Sequence, residues 1–342
     1  MRVVEVGSVI AGPYAGYVLQ RLGFEVVKVE PPGGDPLRKD DVMDDTIFSF
    51  INRGKKSIVL DLKKEDDKKI FIELIKTTNV VIENLSPGAM ERLGLEYKKL
   101  SEVNPNLIYC SVKGFPSNMS KYPAFGTMIE AISGVMWSNG NSRLPASITD
   151  MTTALYATIT VLNALLFNRP GYYEVTLFES AMYWLGYYIL AYQKLGELFP
   201  SKGDALPFWA PYELFEGKDG KKFYLAVNNN EKWEKLSRIL GINEEKWNTN
   251  KKRVHDREEL HAVLQKRFSE YSTQEIIEIL LKNGIPAVPY NDIPSLLKLN
   301  VNWEKLKDYI LPPFPISSTS NEQIPSVGEN TEEILRELGL EE

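Results

Sequence analysis

Apolar and polar positions in the first 115 residues follow two alternating periods. Short apolar runs at RVVEV (2–6), EVVKVE (25–30), SIVLDL (57–62), NVVIEN (79–84) and NLIYCSV (106–112) read as buried strands. Between them, YAGYVLQRLG (14–23) and KEDDKKIFIELIK (64–76) carry helical spacing, and NLSPGAMERLGL (84–95) reads as a turn with a short helix. Strands alternating with helices predict a mostly parallel sheet covered on both faces. Residues 123–139 and 151–168 are expected to be helical, YYEVTLF (172–178) a strand, and SAMYWLGYYILAYQ (180–193) one largely buried helix.

From 196 to 211 the period is lost and Pro, Gly and Ser gather, as in a linker. A second module follows, opening with the hairpin YELFEGKDGKKFYLAV (212–227) around a KDGK turn. Helices are expected near 231–240, 257–270 and 273–283, the last started by the capping-box pair Ser272 and Glu275, and IPAVPYN (285–291) is a short strand. LPPFPISSTSNEQIPS (311–326) is too rich in Pro and Ser to hold a core and reads as a return linker to the helix NTEEILRELGL (330–340). The predicted fold is α/β: a large Rossmann-like domain starting at 1–195, a linker at 196–211, a smaller α+β domain at 212–297, and a return segment at 298–342 docking on the large domain.

Charge and composition narrow the function. Among 342 residues, 40 basic against 46 acidic side chains leave a net charge of −6, so neither nucleic acid nor a membrane surface is expected as partner. One cysteine, Cys110, excludes an intramolecular disulfide and reads as a buried core thiol. The two histidines, His255 and His261, stand six apart in a charged stretch and read as surface residues, so no metal site is expected. Glu5, Gly7 and Pro13 interrupt the apolar run an export signal needs, which points to the cytoplasm. Residues 151–168 are uncharged, but four Thr and two Asn favour a buried helix over a membrane span.

The opening βαβ unit does not carry the nicotinamide-dehydrogenase fingerprint: its glycines fall at Gly7, Gly12 and Gly16, not at G-x-G-x-x-G, although Glu30 ends the second strand. The cluster NRGKKS (52–57) puts Arg53, Lys55 and Lys56 just before a strand, either as phosphate contacts or as a solvated charge run. Asn84 follows a buried strand, and Arg92 lies one turn into the short helix after it. Asp150, just before an apolar-periodic helix, reads by itself as an N-cap.

AGPYAGYVLQRLGFEVVKVEPPGGDPLR, FINRGKKSIVLDLK, VIENLSPGAMERLGL, IYCSVKGF, ITDMTTALYATITVLNALLFNR, YELFEGKDGKKFYLAV, GIPAVPYN and PSVGENTEEILRELGL occur in this order across essentially the whole chain. Together they resemble the class III coenzyme A transferases, the family that also contains α-methylacyl-CoA racemase. The resemblance implies binding of coenzyme A along the large domain, with adenine and phosphates near Arg53, Lys55, Asn84, Leu85 and Arg92, a backbone contact at Ala11, and Arg38 and Lys113 as further candidates. It implies that Asp150 is the nucleophile attacking an acyl-CoA thioester. A carboxyl with an ordinary pKa of about 3.9 at a helix start is already ionised at neutral pH.

The substrates so implied are an acyl-CoA and a small carboxylic acid, with no tightly bound cofactor and an interlocked homodimer whose long linkers lie near 196–211 and 311–326. Three departures qualify the resemblance. Residues 203–209 lack the glycine run that supplies oxyanion donors in the family. The positions of the racemase acid and base hold Phe125 and Asn230, with Glu130 and Glu231 close by. The position of a glutamine used by oxalate-specific transferases holds Ile10. The expected activity is therefore CoA transfer; a racemase and a non-catalytic CoA-binding protein are the alternatives.

Overall fold

The computed structural model describes residues 1–119, 122, 124–201, 203–242, 245–316 and 323–340. Residue 202 of the first expected linker and 317–322 of the second lie outside the described residues. The chain divides into two compact units, one of Met1–Val135, Arg143–Gly186 and Asn302–Glu342, the other of Met136–Ser142 and Tyr187–Val301.

The first unit is built on six parallel strands, β1 (Arg2–Val6), β2 (Glu25–Glu30), β3 (Lys56–Val59), β4 (Val80–Glu83), β5 (Ile108–Lys113) and β6 (Gly171–Thr176), in the order β3-β2-β1-β4-β5-β6. Because side chains alternate across a sheet, Val3, Val26 and Ile82 enter one core with Leu19, Cys110 and Val161, while Val4, Val27 and Val81 enter the other with Phe71 and Leu74. Burial on both faces is why these strands read as unbroken apolar runs. The C-terminal helix Thr331–Glu337 returns to this unit: Ile334 is buried in the second core, and Ser57 and Asn330 exchange hydrogen bonds of 2.9 Å.

The second unit holds an antiparallel sheet of β7 (Tyr212–Glu216), β8 (Lys222–Ala226) and β9 (Ala287–Pro289), backed by Asn230–Leu240, Arg257–Phe268 and Thr273–Lys282. Phe215, Phe223, Trp233, Leu264 and Phe268 form its core. Ser272 caps the last of these helices by accepting the Glu275 N–H.

Four local expectations are corrected. The helix expected over 123–139 breaks at Gly134, whose φ of +88° ends Gly126–Ser133 before Val135–Ser138. Leu177 and Phe178 start the helix Leu177–Tyr183 instead of extending the strand, because Thr176 caps it through the Glu179 N–H. The single buried helix over 180–193 is two, and the second, Gly186–Leu195, buries no residue within this chain. His261 is no free surface residue: its ring stacks on Phe215 and its Nδ1 lies 3.0 Å from Glu213 Oε2, whereas His255 is exposed beside Asp256. Cys110 is fully buried, and desolvation pushes its thiol up to about 12.

Candidate active site

In an open sheet of this winding, ligands bind beyond the carboxyl ends of the strands where the strand order reverses. Here the reversal lies between β1 and β4. A cavity of about 540 Å³ opens at that place, lined by Ser8–Ala11 after β1, Asn84–Pro87 after β4, and Lys113–Phe115 at the end of β5. Phe125–Thr127, Glu130, Arg143 and Asp150 are also on its wall. Its size falls within the roughly 300–1,000 Å³ of ligand clefts.

The loop after β1 is held by Asn84. Its Oδ1 accepts the Ser8 N–H at 3.2 Å and its Nδ2 donates to the Ser8 carbonyl at 2.9 Å. Gly7 and Gly12 make room for it: a Cβ on either would stand 1.8 or 2.7 Å from Asn84 Oδ1. Two of the glycines whose spacing departs from a dinucleotide fingerprint therefore admit an asparagine. Ala11 is the first residue of the helix Ala11–Arg21 and is buried at the cavity edge.

Glu83, buried at the end of β4, gathers the opposite side. It accepts from Ser111 Oγ at 2.5 Å, Lys113 Nζ at 2.8 Å and the Leu85 N–H at 2.9 Å, while Lys113 also donates to the Leu85 carbonyl. Lys113 and Leu85 thus line the cavity as parts of one hydrogen-bonded corner. Arg92 is exposed on the short helix Ala89–Leu93 and donates to the Pro87 carbonyl at 3.3 Å.

Of the cationic candidates Lys113 lines the cavity, whereas Arg92 and three others, Arg38, Arg53 and Lys55, do not. Lys55 is buried and donates to Glu5 Oε2 at 2.6 Å, Pro13 O at 2.7 Å and Asn52 Oδ1 at 2.8 Å. The reason is strand register: Glu5 on β1 pairs with Lys28 on β2, and Gly16 leaves space for the Glu5 carboxylate. Arg53 is buried over the Tyr17 ring and donates to the Phe50 carbonyl. Arg38 forms a two-pronged pair with Glu30 at 2.6 and 2.7 Å and stacks on Phe48. None of the three lines the cavity.

Asp150 is not the N-cap of its helix. Ser147 holds that position, and Asp150 is the third residue of Ile148–Leu166: the helix starts three residues earlier than expected, directly after Ala146 and Ser147, which both take left-handed backbone at φ +52°. Its carboxylate points at the start of Gly126–Ser133, where a Cβ on Gly126 would stand 2.3 Å from Oδ2. Burial, with the Glu130 charge adding to it, pushes the Asp150 carboxyl up to about 6. A carboxyl pushed up to about 6 is mostly ionised at neutral pH, but it does not have the ordinary value expected for a helix start.

Sequence reasoning passed over Glu130 as part of the site, and Arg143 and Ser8 altogether; nothing in their local spacing marks them, since each reaches the cavity through the tertiary path of a loop or helix. Among the described residues, no helix is long and apolar enough to cross a membrane. Phe125 lines the cavity, and Asn230 accepts a hydrogen bond from Arg253 in the second unit.

Comparison with known proteins shows the family and its fold. The CoA-transferase family III pattern matches residues 1–305. Acetyl-CoA:oxalate CoA-transferase of Acetobacter aceti is 31% identical over 317 residues, covering 87% of this chain and 81% of its own. Succinyl-CoA:glutarate CoA-transferase of Homo sapiens is 31% identical over 319 residues, covering 86% and 72%. The crystal structure of a CAIB/BAIF family protein from Brucella suis superposes with a TM-score of 0.87 at 29% identity over 99% of this chain and 98% of that one. The six-stranded parallel sheet, with Asp150 at the cavity on its reversal point, is thus carried by a chain that belongs to CoA-transferase family III.

Proposed function

We propose that the protein moves coenzyme A from an acyl-CoA to a carboxylic acid by covalent catalysis at Asp150. The observation that carries the mechanism is a half-buried carboxylate on the wall of the cavity at the strand reversal. Asp150 attacks the thioester carbonyl, forming an aspartyl-acyl anhydride and expelling CoA thiolate. The thiolate attacks the aspartyl carbonyl, giving an aspartyl-CoA thioester and releasing the first acid. The acceptor carboxylate attacks that thioester to form a second anhydride and thiolate, and the thiolate takes the new acyl group, freeing Asp150. The start of Gly126–Ser133 abuts the carboxylate, and first-turn amides lack intrahelical acceptors, so we assign the oxyanion donors there.

Acetyl-CoA, succinyl-CoA and a panel of mono- and dicarboxylic acids, with mass detection of new thioesters, test this reading. New CoA esters are expected. Hydrolysis alone, or inversion and deuterium uptake at the α-carbon of a 2-methylacyl-CoA without exchange, would refute it. The relatives act by name on oxalate, succinate and glutarate, so dicarboxylates head the panel. Phe125 and Asn230 carry no titratable proton, which favours transfer over racemisation.

Coenzyme A phosphates are assigned to Arg92 and Lys113, with Ala11, Asn84 and Leu85 offering backbone along the cavity edge. Arg92→Ala is expected to weaken CoA about tenfold or more and pantetheine hardly at all, measured by calorimetry. Equal weakening of both ligands would remove Arg92 from phosphate binding. Gly126→Ala is expected to lower turnover about 100-fold, because the new methyl displaces the Asp150 carboxylate. Its melting temperature should hardly change, since a side-chain tip yields easily and alanine favours a helix. Wild-type turnover in this variant would mean that the carboxylate position is not critical.

The homodimer is part of the same reading. Tyr187, Leu190 and Leu195 on the helix Gly186–Leu195 are half or more exposed in a single chain, an apolar face that a second copy would cover.

A further inference from the structure

The turn that delivers Asp150 is strained. Ala146 and Ser147 both have positive φ, at +52°, and Ser147 makes no capping hydrogen bond through its side chain. Non-glycine residues in left-handed backbone are strained and persist only where the surroundings hold them. One buried side chain spans this turn. Glu130, 2% exposed, accepts the Leu144 N–H on Oε2 at 2.9 Å and the Thr149 hydroxyl on Oε1 at 3.2 Å. Leu144 follows Arg143 and Thr149 precedes Asp150, so a single carboxylate braces the two charged residues that share its cavity wall.

We propose that Glu130 is a positioning residue for the transfer reaction: it holds the 144–149 turn in the shape that presents Asp150 and Arg143 to one cavity. This rests on the reading of Asp150 as nucleophile. An anionic brace has a cost in a pocket that must admit carboxylates, and a neutral acceptor would satisfy the Leu144 N–H alone. The charge does more: a carboxylate beside a second carboxylate favours its protonated form and makes the ionised form the stronger nucleophile. The other ionisable groups on the cavity wall are Lys113, Arg143 and Tyr122.

Two variants of the full chain separate brace from charge. In Glu130→Gln the amide oxygen can accept the Leu144 N–H while its nitrogen donates to Thr149 Oγ1, so geometry is kept and charge is lost. The acid limb of its kcat/KM profile should move to lower pH, with the Kd for CoA itself unchanged within about threefold. Glu130→Ala loses both, and kcat should fall about 100-fold or more with that Kd again unchanged. Wild-type kcat and an unmoved pH profile in both variants would overturn the proposal. If Glu130→Ala does not fold, the pH profile of Glu130→Gln decides alone. Trapping of acylated Asp150 in the wild type is measured alongside. Acylation with indifferent Glu130 variants refutes only the brace, whereas no acylation refutes the nucleophile.

Discussion

Asp150→Asn is expected to lose CoA transfer by at least about 10³-fold while the protein becomes more stable at pH 8. The loss follows from removing the group that forms both covalent intermediates. Incubation of the wild type with acyl-CoA and hydroxylamine should label a peptide containing Asp150, and the variant should yield none. The gain follows from linkage. The carboxyl titrates at about 6 in the folded protein against 3.8 ordinarily, because burial disfavours its charge. The folded state therefore binds this proton more tightly than the unfolded chain, and ionised Asp150 costs stability above about pH 6. A neutral amide removes a penalty of about 2–3 kcal/mol at pH 8, less whatever solvent screens, and the advantage should vanish below about pH 4. Urea melts at both pH values measure it. Retained activity in freshly prepared Asp150→Asn, with deamidation excluded by mass, would end the covalent mechanism.

How far this site was legible from sequence depends on how local each signal is. The strands were readable because both faces are buried, so β1, β2, β4 and β5 appear as apolar runs whatever they pack against. Asn84 follows a buried strand at the place where strand ends in a wound sheet converge, whereas Leu85 and Ala11 entered only through the resemblance; all three line the cavity. Lys55 was not. Its partner Glu5 lies fifty residues away, and only the β1–β2 register together with the gap at Gly16 turns a basic run into a buried ion pair. Glu130 was obscure for a related reason: a glutamate in an apolar helix becomes a brace only when the strained 144–149 turn folds over it.

From the same burial, Lys55→Ala is expected to be a stability variant and not a binding variant. Glu5 lies between Lys28 and Lys55, at 2.9 and 2.6 Å, and Lys28 also reaches Asp35 at 2.9 Å. Burial works against charge on Glu5, but the two ammonium groups outweigh it and hold the carboxyl below its ordinary value. Burial brings the Lys55 ammonium down to about 8, so it is still charged at neutral pH. Truncating Lys55 leaves Glu5 with one cation for two oxygens and strips the donor from Pro13 O and Asn52 Oδ1. Breaking one side of a buried pair in this way costs about 3–5 kcal/mol. Denaturant midpoints should fall accordingly at pH 7 with an unchanged m value, and the folded fraction should bind CoA as the wild type does. Glu5→Gln combined with Lys55→Met should recover part of the loss, since neutral groups of similar size remove the unpaired charge. If Lys55→Ala instead keeps its stability and loses CoA binding, the ammonium faces phosphate in solution and the buried pairing with Glu5 is wrong.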